Sequence, residues 1–396
     1  MQRQPQDAPA EVIVPTIDVG ISRPEVWIIP HGSTERQRRI VEVVRSQEAM
    51  QAYMIVETAE RISLHHHGGW GYLYRGVLLP RVEEGVFQEP DPTKATYVAI
   101  KKLRRAAMNR ALAGGSRENP LREIYRMQSI GDNFHVLGCI EVLQDYKYLY
   151  IISPFCACLE DRMNTGQMLE IEARVIFGQV LQSLAYIHHD HGICHGDISP
   201  GNALLHNNGR VVLNDLAMSF RMPPAPAEGL CNPMERLFGK PGYWAPEILF
   251  RIPFSPQACD LWAAVVTLFN LVTGEVMYKI PHPSDNLFKY FVMAQGVSRN
   301  STELCREAMK DMVVNPSQKI AAMRIARKVR SLSPSVKLLF EKSLSMDPND
   351  RWKLEDIRNC EWMMLFTYRF NMNNGVSKAD YYFACSVVSG VYHQPH

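Results

Sequence analysis

Polar side chains that could form a reactive site are concentrated in the segment CHGDISPGNALL, residues 194–205. His195, Asp197 and Asn202 lie in this short loop, and a further acid, Asp215, follows the apolar run in VVLNDLAMS. Carboxylate and amide oxygens are ligands that magnesium prefers, and a carboxylate can also accept or orient a proton. The alternative is that these side chains only cap loops, but capping requires neither this order nor this spacing.

The segments around the polar loop predict a change from strands to helices along the chain. Strand-like runs rich in Tyr, Val and Ile come first, namely YMIVETAERISL, GYLYRGVLL, TYVAIKKL, VLGCIEVLQ and YLYIISPF. One helical stretch, PLREIYRMQSI, interrupts them, and STERQRRIVEVVRSQEAM is predicted to be a helix that begins near Ser33. After Pro154, MLEIEARVIFGQVLQSLAYIHHDHG carries apolar residues at helical spacing. The fold class is therefore predicted to be α+β with two lobes.

Six motifs in chain order resemble those of the protein kinases. They are GGWGYLYRG, VAIK, a glutamate in the following helix, HGDISPGN, NDLA and APE. A glycine cluster alone is a weak signal, whereas the colinear set at domain-scale spacing is highly specific. The resemblance implies a two-lobed protein-kinase-like fold, with a small antiparallel sheet and one main helix in the N-lobe and a larger helical C-lobe.

The resemblance covers roughly residues 60–365 and divides the chain into regions. It implies an N-lobe over 60–153, a hinge over 153–158 and a C-lobe over 159–365. We predict a loosely ordered leader over 1–32, a helical extension and the start of the first strand over 33–60, and a tail over 366–396. The long separation between Asp260 and Arg351 indicates an insertion near 295–330.

As a member of this family, the protein would transfer the γ-phosphoryl group of ATP, with magnesium, to serine or threonine hydroxyl groups of a protein substrate. Asp197 would accept or orient the hydroxyl proton, and Asn202 and Asp215 would hold magnesium. Lys101 would reach the phosphates, and Glu123 resembles the glutamate that pairs with such a lysine.

Glu118 is the alternative partner for this lysine. It precedes Asn119-Pro120, however, where a helix is expected to start rather than to continue.

The nucleotide-binding positions implied by the resemblance lie on the first strands, at the hinge and after the polar loop. They are Gly68, Gly69, Gly71, Leu73, Ala99, Lys101, Ser153, Phe155, Cys156 and Leu204. Taken alone, the glycines would suit a hairpin turn without a ligand. Ser153 is small at the position that would limit the depth of the adenine pocket, so we expect bulky ATP-site ligands to be accommodated.

Two further likenesses concern the fold rather than the chemistry. Glu247 in APE and Arg351 in DPNDRW resemble the buried ion pair that anchors the activation segment. Asp260 in CDLWAAV resembles the aspartate that braces the catalytic loop from beneath.

The chain departs from the kinase pattern at His66, Gly196, Ser199, Leu216, Ala217 and Lys240. Ser199 replaces the lysine that serine/threonine kinases place two residues after the catalytic aspartate, and Lys240 stands where they have a threonine. We hypothesise an exchange in which the Lys240 ammonium approaches Asp197 and the transferring phosphate. The alternative is a solvated loop lysine.

Gly196 replaces the arginine that receives a phosphorylated activation loop in many kinases, and residues 220–242 contain no Ser, Thr or Tyr. We therefore predict that phosphorylation within this segment does not switch the protein. The six departures also favour an alternative function, that of a pseudokinase that acts as an adapter. A small-molecule kinase is a third reading, which APE weakens because that motif belongs to the protein-substrate segment.

Composition excludes several classes of protein. A net charge of +2 gives no electrostatic case for nucleic acid, and the most apolar run, LWAAVVTLFNLV, is too short for a membrane span. The start, MQRQPQDAPAEV, lacks the apolar core of a secretory signal. The nine scattered cysteines favour free thiols in a reducing compartment. We expect a cytoplasmic protein, with the nucleus as the alternative, and the oligomeric state is not readable from the sequence.

Overall fold

The computed structural model describes residues 20–21, 25–34, 37–40, 43–45, 51–55, 62–63, 70–131, 133–164, 166–206, 209–223, 230–231, 238–250, 253–294 and 316–364. These residues fall into two compact units. The first takes its described residues from Met1–Gly131 and Gly138–Phe155, and the second from Asp132–Leu137 and Cys156–His396.

The first unit is a sheet with two helices. Its strands are β1 (Gly20–Ile21), β2 (Glu25–Ile29), β3 (Gln37–Ile40), β4 (Val43–Arg45), β5 (Gln51–Ile55), β6 (Ile62–Ser63), β7 (Gly71–Glu83), β8 (Val86–Gln88), β9 (Tyr97–Arg104), β10 (Glu141–Gln144) and β11 (Tyr148–Pro154). The hydrogen-bonded order is β1-β10-β11-β9-β7-β8-β2-β3, with β5 and β6 also paired to β7 and β4 paired to β5. The pairs β1–β10 and β2–β8 are parallel, and the other pairs are antiparallel.

Strand β9 shows how the alternation of side chains between the two faces of a strand decides where each residue packs. Its side chains point alternately to the two faces of the sheet. Val98 and Ile100 belong to one apolar cluster with Ile152, whereas Leu103 belongs to a second cluster with Ile124, which lies in the second helix after the strand. Both faces of the strand are therefore packed.

The two helices of this unit are α1 (Arg105–Ala113) and α2 (Pro120–Ile130). Helix α2 begins where the sequence predicts, because Asn119 Oδ1 accepts hydrogen bonds from the backbone N–H groups of Leu121 and Arg122. Pro120 occupies the first helical position, where its missing N–H costs nothing. Helix α1 was not predicted from the sequence.

The prediction of a helix that begins near Ser33 is wrong. Residues Gln37–Ile40 form β3, paired with β2, and Val43–Arg45 form β4, paired with β5. The run RRIVEVVR contains four β-branched residues, which fit a pleated strand when neighbouring strands offer hydrogen bonds. Tertiary pairing therefore decides the structure of this segment.

The prediction that the leader over 1–32 is loosely ordered is wrong for the described part of that range. Glu25–Ile29 forms a strand between β3 and β8, and Ile28 is completely buried against Phe87 and Leu79. The apolar run EVWII supplies the residues for this strand. Residues 1–19 of the leader and residues 365–396 lie outside the described residues.

The second unit is mainly helical, and together with the sheet unit it confirms the predicted two-lobed α+β fold. Its helices are α3 (Leu159–Asn164), α4 (Glu170–Ala185), α5 (Pro246–Leu249), α6 (Pro256–Thr273), α7 (Asn286–Ala294), α8 (Pro316–Ser331), α9 (Pro334–Ser343) and α10 (Leu354–Arg358). A π-helical turn over Tyr186–Asp190 extends α4. Strands β12 (Ala157–Cys158), β14 (Ala203–Leu205) and β15 (Val211–Leu213) form one small sheet, and β13 (Ile193–Cys194) pairs with β16 (Phe220–Arg221).

Helix α6 is the centre of this unit. Every residue from Cys259 to Thr273 is buried, as expected for a helix that is apolar on all sides. Ser255 Oγ caps its start, and Gly274, with φ of 63°, ends it in the left-handed conformation that glycine adopts without strain. Among the described residues, no helix combines the length and the hydropathy needed to cross a bilayer.

Helix α8 lies in the region where the sequence indicates an insertion. Its Arg324 and Lys328 form ion pairs of 2.6 and 3.0 Å with Glu275, just after α6. Residues 295–315 lie outside the described residues.

Candidate functional site

The polar loop, residues 195–202, is held by one buried acid of α6. Asp260 Oδ2 accepts hydrogen bonds from the backbone N–H of His195 at 2.7 Å and from His188 Nε2 at 2.9 Å, and Oδ1 accepts from the N–H of Gly196 at 2.9 Å. Burial acts to raise the pKa of Asp260, but the combined effect of its surroundings, led by the hydrogen bond from His188 and including His195 and the N–H of Gly196, lowers that pKa. The loop is therefore fixed from within the core of the unit.

His195 is completely buried and links the polar loop to the segment before Asp215. Its Nε2 lies 3.0 Å from the carbonyl oxygen of Asn214, and its Nδ1 accepts a hydrogen bond of 3.3 Å from the backbone N–H of Asp197. Because a carbonyl oxygen only accepts, Nε2 must carry the proton. The ring thereby orients the backbone of Asp197.

The carboxylate of Asp197 receives three hydrogen bonds. Asn202 Nδ2 donates to Oδ2 at 2.7 Å and to the Asp197 carbonyl oxygen at 2.7 Å. The backbone N–H of Lys240 donates to Oδ1 at 3.0 Å, and Lys240 Nζ donates to Oδ2 at 3.1 Å and to Ser199 Oγ at 3.0 Å. The structure thus brings together Asp197, Asn202, Ser199 and Lys240, including the approach of Lys240 to Asp197 that the sequence suggested.

A hairpin brings Asn202 to the segment that carries Asp215. Strands β14 and β15 pair with Ala203 opposite Leu213, and the N–H of Asn214 donates to the carbonyl oxygen of Asn202 at 2.9 Å. Asn202 immediately precedes one strand, and Asp215 lies two residues after the end of the other. Both predicted metal-binding positions therefore belong to neighbouring loops.

Asp215 is the one described non-glycine residue with a positive φ, 64° with ψ of 72°. This left-handed conformation costs about 1–3 kcal/mol, and residues held in it cluster at functional sites. The side chain is mostly buried, and Oδ1 accepts a hydrogen bond from the N–H of Ala217. The packed surroundings therefore hold this acid in one orientation.

Oxygen atoms of Asn202 and Asp215 fit a magnesium ion by chemical type. The side-chain hydrogen bonds given above for Asn202 use its Nδ2, which leaves the amide oxygen Oδ1 as a ligand atom. Asp215 supplies a carboxylate. One amide oxygen and one carboxylate are a suitable protein contribution to a magnesium site that water and phosphate complete.

In the sheet unit, Lys101 Nζ lies 2.7 Å from Glu123 Oε2, and the two side chains are only 11% and 3% exposed. Glu123 lies in the first turn of α2, where the helix dipole favours a negative charge. The structure thus pairs Lys101 with Glu123, the glutamate favoured from the sequence over Glu118.

Four of the predicted nucleotide-binding residues of the sheet unit share one face, namely Leu73, Ala99, Lys101 and Ser153. In the strand register Leu73 lies opposite Lys101, and Ser153 lies opposite Ala99. Residues 99 and 101 are two apart on β9, so their side chains lie on the same face. The register therefore places these four positions together.

Three other predicted nucleotide-binding residues lie on or next to strands β11, β12 and β14. Phe155 follows β11, and the Arg75 guanidinium lies 5.4 Å from the centroid of its ring. In the second unit Cys156 precedes β12, and burial raises the pKa of its thiol to about 11. Leu204 lies in β14, opposite Cys158 of β12.

Gly71 has a structural reason to be glycine. A Cβ at this position would collide with the carbonyl oxygen of Lys102 and lie 2.7 Å from the Leu103 side chain. Close strand packing therefore requires this glycine whether or not a phosphate approaches it. Gly68, Gly69 and His66 lie outside the described residues.

Two glycines that sequence reasoning did not connect bring the segment 238–240 against the polar loop. Gly239 has φ of 72°, and a Cβ there would collide with the Gly196 carbonyl oxygen and lie 3.0 Å from Asp197 Oδ1. Gly196 has φ of 80°, and its Cβ would lie 3.3 Å from the Phe238 ring. No local sequence pattern indicates this contact, because the two glycines are far apart in the chain.

Phe238 fixes the segment 238–240 by apolar packing. Its ring centroid lies 5.2 Å from that of Phe220 and 5.7 Å from that of Phe254. Trp244 Nε1 also donates a hydrogen bond to the Phe238 carbonyl oxygen. The described part of the segment is thus held by aromatic contacts and backbone hydrogen bonds.

Arg75 is a further residue that the sequence did not single out. It lies opposite Ala99 on the face that carries Lys101, and its guanidinium carbon is 3.8 Å from the centroid of the Tyr97 ring. Strand alternation from Leu73 would have placed it there, because it is two residues further along β7.

Glu247 and Arg351 form a buried ion pair with two contacts, Nη1 to Oε1 at 2.6 Å and Nη2 to Oε2 at 2.8 Å. Arg351 Nε also donates to the carbonyl oxygen of Ser345 at 2.7 Å. Paired, planar contacts of this type fix geometry as well as charge. They attach α5 to the connection between α9 and α10.

Comparisons with known proteins agree with this arrangement. The family model of the protein kinase domain matches residues 85–363, more than half of the chain. The chain is similar to serine/threonine-protein kinase STK11 of Rattus norvegicus, with 26% identity over 272 residues that cover 64% of this chain and 59% of the relative. It therefore spans less than two thirds of that relative.

Two other relatives extend the comparison. Serine/threonine-protein kinase stk11 of Xenopus laevis is 25% identical over 314 residues, 72% of this chain and 70% of the relative. CBL-interacting serine/threonine-protein kinase 21 of Arabidopsis thaliana is 29% identical over 186 residues, 46% of this chain and 42% of the relative.

Proposed function

The chain belongs to the protein kinase family, and on that premise we propose that it transfers the γ-phosphoryl group of ATP to serine or threonine hydroxyl groups of a protein substrate. The observation that carries the proposal is the pairing of two neighbouring loops, one with Asp197 and Asn202 and the other with the strained Asp215. The similar proteins described above are serine/threonine-protein kinases, which supports the proposed hydroxyl preference.

Asp197 is the residue proposed to act on the substrate hydroxyl. The hydroxyl oxygen forms a bond to the γ-phosphorus while the bond from that phosphorus to the ADP oxygen breaks, and the hydroxyl proton passes to the Asp197 carboxylate. Asn202 orients this carboxylate through the 2.7 Å hydrogen bond to Oδ2. His195 orients the backbone of the same residue.

Asn202 and Asp215 are proposed to hold magnesium, which when bound would neutralise phosphate charge. In the sheet unit, the ion pair with Glu123 holds the Lys101 ammonium on the face that also carries Ala99 and Leu73. We propose that this ammonium contacts phosphate oxygens and that Ala99 contacts the adenine. The remaining positions proposed for the nucleotide are Gly68, Gly69, Gly71, Ser153, Phe155, Cys156 and Leu204.

One observation favours a second candidate, an adapter of the pseudokinase type. Three donors already engage the Asp197 carboxylate, including the Lys240 ammonium. If this ion pair blocks the carboxylate, the fold would serve binding rather than transfer.

The direct test is transfer of label from radiolabelled ATP, with magnesium, to a generic basic protein. We expect transfer by the parent chain and its loss in Asp197→Asn and Asp215→Asn. Asp161→Asn, at an exposed acid of α3, is the matched control and should behave as the parent. Label that persists in both site variants would come from a contaminating kinase, and ATP binding without transfer by the parent would support the adapter.

The hydroxyl type and cellular setting are also proposals. Acid hydrolysis of the labelled product should yield phosphoserine or phosphothreonine, and phosphotyrosine would contradict the proposed preference. We place the protein in the cytoplasm, with the nucleus as the alternative, because nine scattered cysteines suit a reducing compartment. Detection of the tagged protein outside both would contradict this placement.

A further inference from the structure

Lys240 lies outside the polar loop in sequence but contacts it through both backbone and side chain. Its Nζ is 3.1 Å from Asp197 Oδ2 and 3.0 Å from Ser199 Oγ. We propose that the Lys240 ammonium is a catalytic cation, which stabilises the charge of the transferring phosphoryl group beside Asp197. This inference rests on the proposed kinase function and assigns that site one more reacting residue.

The contacts distinguish Lys240 from a solvated loop lysine. The backbone N–H donates to Asp197 Oδ1, so the main chain is fixed before the side chain is considered. The side chain is 31% exposed, and that of Asp197 is 10% exposed. An ammonium held by two side chains at this depth is positioned, and it is still partly exposed to solvent.

Distance places this charge within reach of the reaction. A substrate hydroxyl that gives its proton to Asp197 must lie about 2.6–3.2 Å from the carboxylate. If it binds Oδ2, it lies at most about 6 Å from the ammonium, which is 3.1 Å from that oxygen. An ammonium has three N–H donors, and Asp197 and Ser199 accept two. The third is available to a phosphoryl oxygen.

Ser199 is the complement of this lysine. It is only 2% exposed, and its hydroxyl accepts a hydrogen bond from the ammonium. Because Lys240 Nζ lies 3.0 Å from Ser199 Oγ, a lysine at position 199 would bring a second positive charge close to the first, and the two charges would repel each other. The site therefore accommodates one ammonium, carried by residue 240 with a small residue at 199.

The pairing of Lys240 with Ser199 gives a test in which the ammonium is moved from position 240 to position 199. The variants are Lys240→Ala, Lys240→Arg, Lys240→Thr, Ser199→Lys and the double variant Ser199→Lys/Lys240→Thr, all in the full chain. Loss of one preorganised donor lowers kcat by about 10²–10³-fold, so we expect that loss for Lys240→Ala and Lys240→Thr. Lys240→Arg should retain more activity, and the double variant should recover much of what Lys240→Thr loses.

A binding measurement gives a second readout that does not depend on turnover. Aluminium fluoride with ADP and magnesium mimics a phosphoryl group in transfer, so its addition should raise the affinity for ADP in the parent chain. Lys240→Ala should lose most of this increase while its affinity for ADP alone stays unchanged. Lys342→Ala, at an exposed lysine of α9, is the matched control and should keep the increase.

The outcomes separate this inference from the proposed function. Full activity in Lys240→Ala, or a double variant no better than Lys240→Thr at equal melting temperature, would overturn the role of Lys240 alone. Increased activity in Lys240→Ala would show that the ion pair blocks Asp197, and would also overturn it. Absence of transfer by the parent chain would overturn both proposals.

Discussion

The Lys101 ammonium and the Glu123 carboxylate form a 2.7 Å ion pair that is almost completely excluded from solvent. Glu123 comes from the first turn of α2 and Lys101 from β9, so one contact attaches the helix to the strand. Removal of one partner of a buried pair leaves an uncompensated charge and costs about 3–5 kcal/mol. The pair therefore contributes to the fold and to the placement of the ammonium, and the two contributions are separable.

The first prediction separates the contribution of the Lys101–Glu123 pair to stability from its contribution to phosphoryl transfer. Glu123→Gln should lower the free energy of unfolding by about 3–5 kcal/mol and also reduce transfer, because Lys101 loses its fixed position. Lys101→Met/Glu123→Leu should recover most of the stability, since well-packed apolar residues replace buried pairs at little cost, but it should have no transfer activity. Urea unfolding and the radiolabel assay measure the two effects. A double variant that recovers transfer would exclude Lys101 from the reaction.

The second prediction concerns the contact between Gly239 and the polar loop. Gly239→Ala should displace the segment 238–240, because the new Cβ would collide with the Gly196 carbonyl oxygen and approach Asp197 Oδ1. Gly115→Ala is the matched control, since Gly115 has φ of 81° but no atom within 4 Å of the added Cβ. Both variants carry backbone strain of about 1–2 kcal/mol. We expect kcat to fall only in Gly239→Ala, and equal kcat in the two would show that the contact is irrelevant to transfer.

The third prediction is that the activation segment works without phosphorylation. Residues 220–242 contain no Ser, Thr or Tyr, and Phe238 is held instead by the rings of Phe220 and Phe254. Phosphatase treatment of the purified chain should therefore leave its activity unchanged. Phe238→Ala should lower the activity by releasing the segment. A large loss of activity after phosphatase treatment would contradict the prediction.

Acid pH provides the fourth prediction, through Asp260. The pKa of this carboxyl in the folded protein is below its ordinary value of 3.8, so ionised Asp260 stabilises the fold above that pH. This stabilisation is lost as pH falls through the folded-state pKa. The difference in unfolding free energy between the parent and Asp260→Asn should therefore be largest near neutral pH and decrease in acid. A difference that grows in acid would reverse the assigned sign.

Features that depend on local chemistry, or on positions that the kinase motifs bring together, were predictable from the sequence. Asn119-Pro120 marks the start of α2 because a capping side chain and a proline at the first helical position act within one turn. The approach of Lys240 to Asp197 was predictable because two departures from the kinase pattern fall on groups that are neighbours in that family.

Features that depend on pairing between distant segments, other than those that the kinase motifs indicate, were not predictable. The run RRIVEVVR suits a helix or a strand, and its outcome depends on β2 and β5, which lie outside the run. The contact between Gly196 and Gly239 likewise joins separate segments. Positive φ values at both positions appear only when the chain is folded, because glycine itself permits either sign of φ.

The last prediction concerns the depth of the proposed adenine pocket. Ser153 lies opposite Ala99 on the face that carries Lys101, and it is only 8% exposed. A bulky ATP-site ligand should bind the parent chain more tightly than it binds Ser153→Met, because the longer side chain would fill the space beside Ala99. ATP itself should bind both equally, since it does not need that depth. Calorimetry with both ligands measures the difference, and equal affinity of the bulky ligand for the two proteins would place Ser153 away from the pocket.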